Sequence, residues 1–192
     1  MIFHKAGKYN GDENSLPQRE HPAGSVPFKE CQDMKTFSRI ANGGCFAVII
    51  LLAIPFVLLG KAYFEENRIW LVVGFVCTAL VMLPHEMLHA ICFEEDVYYY
   101  NSMDKGMLFV VGTEDMSKTR FIFMSMLPNL VFGFLPFIVF LVRPDLVGLG
   151  LFGLICLGSG FGDYINVFNA LTQVPGGAKI YMSGLHTYWH KP

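Results

Sequence analysis

Four stretches of this chain, residues 43–60, 69–93, 121–142 and 146–171, are apolar on every helical face. Each is long enough, or nearly so, to cross about 30 Å of hydrocarbon. A helix in the core of a water-soluble domain normally carries a polar stripe on one side, and none of these runs does. The first contains Pro55, which a membrane span tolerates when neighbouring helices satisfy the freed carbonyl. Composition agrees: 16% of the 192 residues are charged and 53% hydrophobic, where soluble domains carry about 25% charged residues. These features predict an all-α membrane protein of about four transmembrane helices in a lipid bilayer. The formal net charge of −2 offers no basic field for nucleic acid.

The flanks are polar. Residues 1–42, with Pro17, Pro22 and Pro27, read as a loose cytoplasmic N-terminal tail without a cleavable signal peptide, and residues 176–192 as a cytoplasmic C-terminal tail. Between them, residues 43–175 read as the transmembrane domain. In the loop 94–120, VYYYNSM and MLFVVGT flank Asp104-Lys105-Gly106, which predicts a small β-hairpin between the second and third spans. Its edge can pair with an extended substrate, or Tyr98, Tyr99 and Tyr100 can simply anchor the loop among the headgroups. With four spans, eleven lysines and arginines fall on the side of both termini and this loop, and three, Lys61, Arg68 and Arg143, on the other. That asymmetry predicts cytoplasmic termini. The five cysteines form no C-x-x-C pair, so no disulfide framework is expected. His4, His21, His186 and His190 lie in the tails and are expected to be solvated.

The second run ends in PHEMLHAICF, residues 84–93. A charge near the middle of a bilayer costs a few kcal/mol, so ionisable groups there need a function. His85 and His89 are four apart and share one helical face, where both imidazoles reach a single metal ion. Glu86 is offset by about 100° around the helix, where it stays out of the ligand set and can take a proton from water. The pattern is H-E-x-x-H, the helix signature of zinc proteases.

Zinc needs a third protein ligand. Glu94, Glu95 and Asp96 lie too far along the same helix. The first and third runs contain no Asp, Glu, His, Lys or Arg, and the fourth contains only Asp163. If the second and fourth runs both point inward, counting residues places His85 and Asp163 within roughly a couple of ångströms in depth. Asn166, one turn beyond Asp163, can hydrogen-bond that carboxylate or hold a substrate carbonyl, and Asn129 at the start of the third run is a candidate for the same roles.

LPHEMLHA, MLPN and GDYINVFNALTQVPGGA resemble the zincin peptidase family of bacterial membrane proteins, related to site-2 protease-like intramembrane metalloproteases. The resemblance runs from about residue 43 to the C-terminus. It implies that His85, His89 and Asp163 are metal ligands, that Glu86 is the catalytic acid and base, and that the protein sits in the bacterial cytoplasmic membrane. The flanks of Asp163 differ from the usual site-2 pattern: Gly162 precedes it and Tyr164 follows, where those proteases place a glycine after the aspartate.

The expected activity is therefore zinc-dependent hydrolysis of peptide bonds within or next to the membrane, acting on a membrane protein or peptide. Two other readings use the same residues: a non-catalytic membrane scaffold with a structural metal, and a metal-handling transporter. Transport is disfavoured because the ionisable groups cluster in one half of the membrane and no internal repeat is visible. Oligomeric state leaves no trace in the sequence.

Overall fold

The computed structural model describes residues 2–31, 33–102 and 107–192. The chain divides into two compact units, one made of Cys31–His85 and Met126–Ile165, the other of Met1–Glu30, Glu86–Ser125 and Asn166–Pro192.

The first unit is helical. Helix α1, Met34–Gly60, starts at Asp33, whose side chain accepts a hydrogen bond from the Thr36 N–H at 2.8 Å. That bond holds the Asp33 carboxyl below its ordinary range. Helix α2, Arg68–Leu80, runs into α3, Met82–Ala90; α4, Lys118–Pro128, continues through a π-helical turn, Asn129–Phe134, into α5, Leu135–Val142; and α6, Val147–Ser159, runs into α7, Phe161–Gln173, with α3 from Glu86, α4 up to Ser125 and α7 from Asn166 counted in the second unit. The buried side chains Phe56, Phe137, Phe140, Val147, Leu154 and Leu157 form the core of this unit. Helices α2 and α6 meet backbone to backbone: a Cβ on Gly74 would lie 2.1 Å from the Gly148 carbonyl oxygen, so only glycine allows this approach. Outward, Phe46, Ile50, Leu58, Val72, Phe75 and Leu80 are exposed.

Among the described residues two helical stretches, Lys35–Tyr63 and Lys118–Val142, are long and apolar enough to cross a membrane, and the number rises to as many as four if each bent pair is one span. Helices α2 and α3 bend by 46°, α6 and α7 by 49°. The first bend has a direct cause. Pro84 has no N–H to give to the Leu80 carbonyl, and its ring crowds that carbonyl, so α2 ends at Leu80 and the chain restarts as α3.

The second unit is built on two sheets, and here the all-α expectation is wrong. Among the described residues one sheet has three strands in the order β1 (Phe3–Lys8), β3 (Val97–Ser102), β4 (Met107–Gly112), the other four in the order β2 (Val26–Pro27), β7 (His186–His190), β6 (Lys179–Ser183), β5 (Met116–Ser117). Strands β1 (Phe3–Lys8) and β2 (Val26–Pro27) come from the stretch read as a loose tail, and β6 (Lys179–Ser183) and β7 (His186–His190) from the C-terminal tail. The expected hairpin strands are present as β3, Val97–Ser102, and β4, Met107–Gly112, paired antiparallel, and β5 is Met116–Ser117. The Asp104-Lys105-Gly106 turn lies outside the described residues. β3 also takes β1 as a parallel partner, with Phe3 opposite Val97. Pairing across so many residues leaves no local signature, which is why short strands rich in polar residues read as tail.

Strand residues Val97 and Ile180 are wholly buried in the main core of this unit, alongside Phe28, Ala90, Phe93, Phe121 and Met124. Each fully buried aliphatic side chain contributes about 1.5–3 kcal/mol. The tail histidines are also not all solvated: His190 is buried, with Nε2 3.1 Å from Asp115 Oδ1. Arg19 grips the same carboxylate with two nitrogens, at 2.8 and 3.2 Å, and lies over the Tyr181 ring.

Candidate metal centre

Helix α3 is short, and its first turn holds Pro84, where a missing N–H costs nothing. The helical register resumes at once, the His85 N–H donating to the Val81 carbonyl at 2.8 Å. Glu86 and His89 follow on the same helix. One ligand atom from each of His85, Glu86 and His89 lies within 4.8 Å of the other two. His89 is buried, His85 and Glu86 half-buried.

The His89 ring is fixed by its partner. Its Nδ1 lies 2.9 Å from the Met124 carbonyl oxygen, and a carbonyl only accepts, so Nδ1 carries a proton there. In an α-helix the Met124 carbonyl would accept from residue 128. That residue is Pro128, which has no N–H, so the carbonyl is left for His89.

On the side of His85, Nε2 stands 3.3 Å from Asp163 Oδ2. Two ligand atoms of one tetrahedral zinc, each about 2.0–2.1 Å from the ion, sit about 3.4 Å apart. The observed separation is on that scale. The same Asp163 oxygen accepts from Asn129 Nδ2 at 2.7 Å. Asn129 is fully buried at the start of the π-helical turn; an ionised carboxylate only accepts, so the amide nitrogen faces Asp163, and Oδ1 lies 3.2 Å from the Tyr164 hydroxyl. Tyr164 also lies 3.0 Å from the Leu157 carbonyl, near the end of α6. The break between α6 and α7 at Gly160 makes room for Asn129: a Cβ at Gly160 would fall 1.7 Å from Asn129 Oδ1.

The geometry thus brings together His85, Glu86 and His89 on one helix, His85 with Asp163, and Asp163 with Asn129. The side chain of Asn166, the other expected partner of Asp163, makes no hydrogen bond among the described residues. Two contributors escaped the sequence reading. Tyr164 had a signal, since a phenol in an apolar helix needs a hydrogen-bond partner. Met124 acts through its backbone, and its only sequence mark is the proline four residues later. Near the site, burial and then the charge of Glu86 push the Tyr99 phenol up, which places Tyr99 within electrostatic reach of that carboxylate.

Two imidazoles and a carboxylate are donors that suit zinc. Ligand atoms of His85, Glu86 and His89 lie within 4.8 Å of one another and the Asp163 carboxylate stands 3.3 Å from His85, so the donor chemistry of this group fits the metal. Histidines one turn apart with a glutamate beside the first mark the class of zinc-dependent peptidases. The chain belongs to the family described as "Putative zincin peptidase", which matches residues 78–179, more than half of its length and including His85, Glu86, His89, Asn129 and Asp163. No curated protein and no solved structure matches the chain.

Proposed function

We propose that this protein is a membrane-embedded zinc metallopeptidase that hydrolyses peptide bonds within or next to the bilayer, with a membrane protein or peptide as substrate. The observation that carries the reading is the clustering of His85, Glu86 and His89 within 4.8 Å, with the Asp163 carboxylate 3.3 Å from His85. His85, His89 and Asp163 would hold the ion. Zinc, when bound, supplies Lewis-acid polarisation of the scissile carbonyl and acidifies water.

The chain's own groups do the rest. Glu86 takes a proton from the attacking water as its oxygen bonds to the carbonyl carbon, then delivers that proton to the amine nitrogen as the C–N bond breaks. Asn129 and Tyr164 fix the direction of the Asp163 carboxylate, and the Met124 carbonyl fixes the His89 ring. Cytoplasmic termini, in a bacterial cytoplasmic membrane, remain part of the proposal and rest on the lysine and arginine asymmetry.

Glu86→Gln tests the reading. It should keep metal close to the wild-type level, since Glu86 is no ligand, while hydrolysis falls by about two to four orders of magnitude. Membrane peptides that accumulate uncut on this variant, and are cleaved by wild type, would identify the substrate. Full activity in Glu86→Gln would refute the mechanism.

A further inference from the structure

We propose that helix α4 is the positioning element of His89, acting through Pro128 and Arg120; the proposal rests on the reading of His89 as a metal ligand. Two contacts carry it. The first is the Met124 carbonyl, which accepts from His89 Nδ1 at 2.9 Å because Pro128 leaves it without its intrahelical donor.

The second contact lies one helical turn earlier. Arg120 is four residues before Met124, hence on the same face of α4. Its Nε and Nη2 donate to the Cys92 carbonyl at 2.8 and 2.6 Å. Cys92 belongs to the turn that leaves α3, its own N–H bonded to the His89 carbonyl at 3.1 Å. Nη2 also donates to the Glu114 carboxylate, which is 3% exposed. Glu114 in turn accepts from the Glu94 N–H at 3.0 and 2.9 Å and from the Glu95 N–H. The turn after His89 is therefore held through both its carbonyl and its N–H groups, with α4 supplying the guanidinium.

The consequence is a histidine whose ring and backbone are both set from one helix face. Arg120 pins the backbone just past His89 along the axis, and the freed carbonyl pins the ring. Neither residue touches the ion or the reacting atoms; both act through His89.

The experiment uses the full chain, purified in detergent without metal and titrated with Co2+ by visible absorption. Pro128→Ala restores an N–H that competes for the Met124 carbonyl. It should lower Co2+ affinity by about 10- to 100-fold, without lowering the melting temperature, because the substitution adds an intrahelical hydrogen bond. A purely structural role cannot give that pair of results. Arg120→Met should weaken Co2+ binding over the same range, and Leu16→Ala, a core truncation in a separate cluster, is the control for lost stability. At a comparable loss of melting temperature the control should bind Co2+ within about twofold of wild type.

Wild-type Co2+ affinity in Pro128→Ala or in Arg120→Met overturns the role of that residue. An equal loss of affinity in the Leu16→Ala control overturns the positioning reading of Arg120. A wild-type protein that binds no Co2+ overturns this inference together with the metallopeptidase reading, whereas wild-type binding with unaffected variants overturns this inference alone.

Discussion

Alanine at Gly160 tests the site by space alone. Gly160 has φ −76° and ψ 13°, which alanine adopts without strain, so any effect must come from the added methyl. That methyl would fall 1.7 Å from Asn129 Oδ1 and 2.6 Å from Asn129 Nδ2. Non-bonded heavy atoms settle at roughly 3.5 Å, so the amide must withdraw by about 1.5–2 Å. A withdrawal of that size breaks its 2.7 Å bond to Asp163. Overpacking costs about 1–3 kcal/mol and a lost hydrogen bond to a charged group about 1.5–3 kcal/mol, so Gly160→Ala should destabilise by about 3–5 kcal/mol. With Asp163 no longer oriented, metal affinity should fall by about 10- to 100-fold. Thermal melts and zinc competition on the purified protein read the two effects. Gly162→Ala is the control: its nearest contact would be Phe37 Cζ at 3.7 Å, an ordinary van der Waals distance. Alanine there should be neutral, or stabilising by up to about 1 kcal/mol from helix propensity. A Gly160→Ala protein that melts with wild type and holds metal as tightly would refute the role given to Asn129.

Other expectations are independent of this one. Ser125 is buried and its Oγ has no partner among the described residues; Ser125→Ala should therefore raise the melting temperature, by the equivalent of about 1–3 kcal/mol. For Asp115, burial alone would raise the carboxyl, but the hydrogen bonds and charges of Arg19 and His190 outweigh it and hold the group below its ordinary range. Its stabilisation is then present above the unfolded-state pKa of about 3.9 and is lost as pH falls through the folded value. Melts of Asp115→Asn should accordingly show a shallower loss of stability than wild type below about pH 4. Cysteines introduced at the exposed positions Glu66 and Glu95 of a cysteine-free chain should react with an impermeant reagent from opposite sides of the membrane, and reaction from one side would remove the assumption that the second and fourth runs point the same way.

What the sequence made legible was whatever is local along the chain. An apolar run declares itself residue by residue, and His85, Glu86 and His89 are related by helical spacing alone. The strands were hidden for the opposite reason. β1 is FHKAGK, with two lysines and a glycine, and it holds its place through a parallel partner that begins at Val97. β6 and β7 bury residues without strict alternation, KIYMS and HTYWH, because they sit inside a four-stranded sheet. Asn166 and Asn129 were both candidate partners for Asp163; the carboxylate is bonded by Asn129, more than thirty residues away, and the π-helical turn that Asn129 opens is announced by no periodicity.

The two helix breaks explain why the polar groups stand where they do. A straight apolar helix satisfies every backbone group internally and has no use for polar side chains in hydrocarbon. The helix is interrupted at Val81, three residues before Pro84, and at Gly160, and the ionisable residues follow: His85 is adjacent to the proline, and Asp163 comes three residues after the glycine. Pro128 repeats the device on α4, where the carbonyl that it deprives of a donor is the one that accepts the hydrogen bond of His89 Nδ1–H. In each case a residue that damages the helix frees a backbone group or opens a space, and a side chain of the site uses it. Removing either device should therefore disable the proposed centre at different costs in stability: Pro128→Ala regains an intrahelical hydrogen bond but draws the Met124 carbonyl from His89, whereas Gly160→Ala displaces Asn129 from Asp163 and destabilises by overpacking. Prolines and glycines inside the membrane-length runs of this chain belong to the site as much as its histidines do.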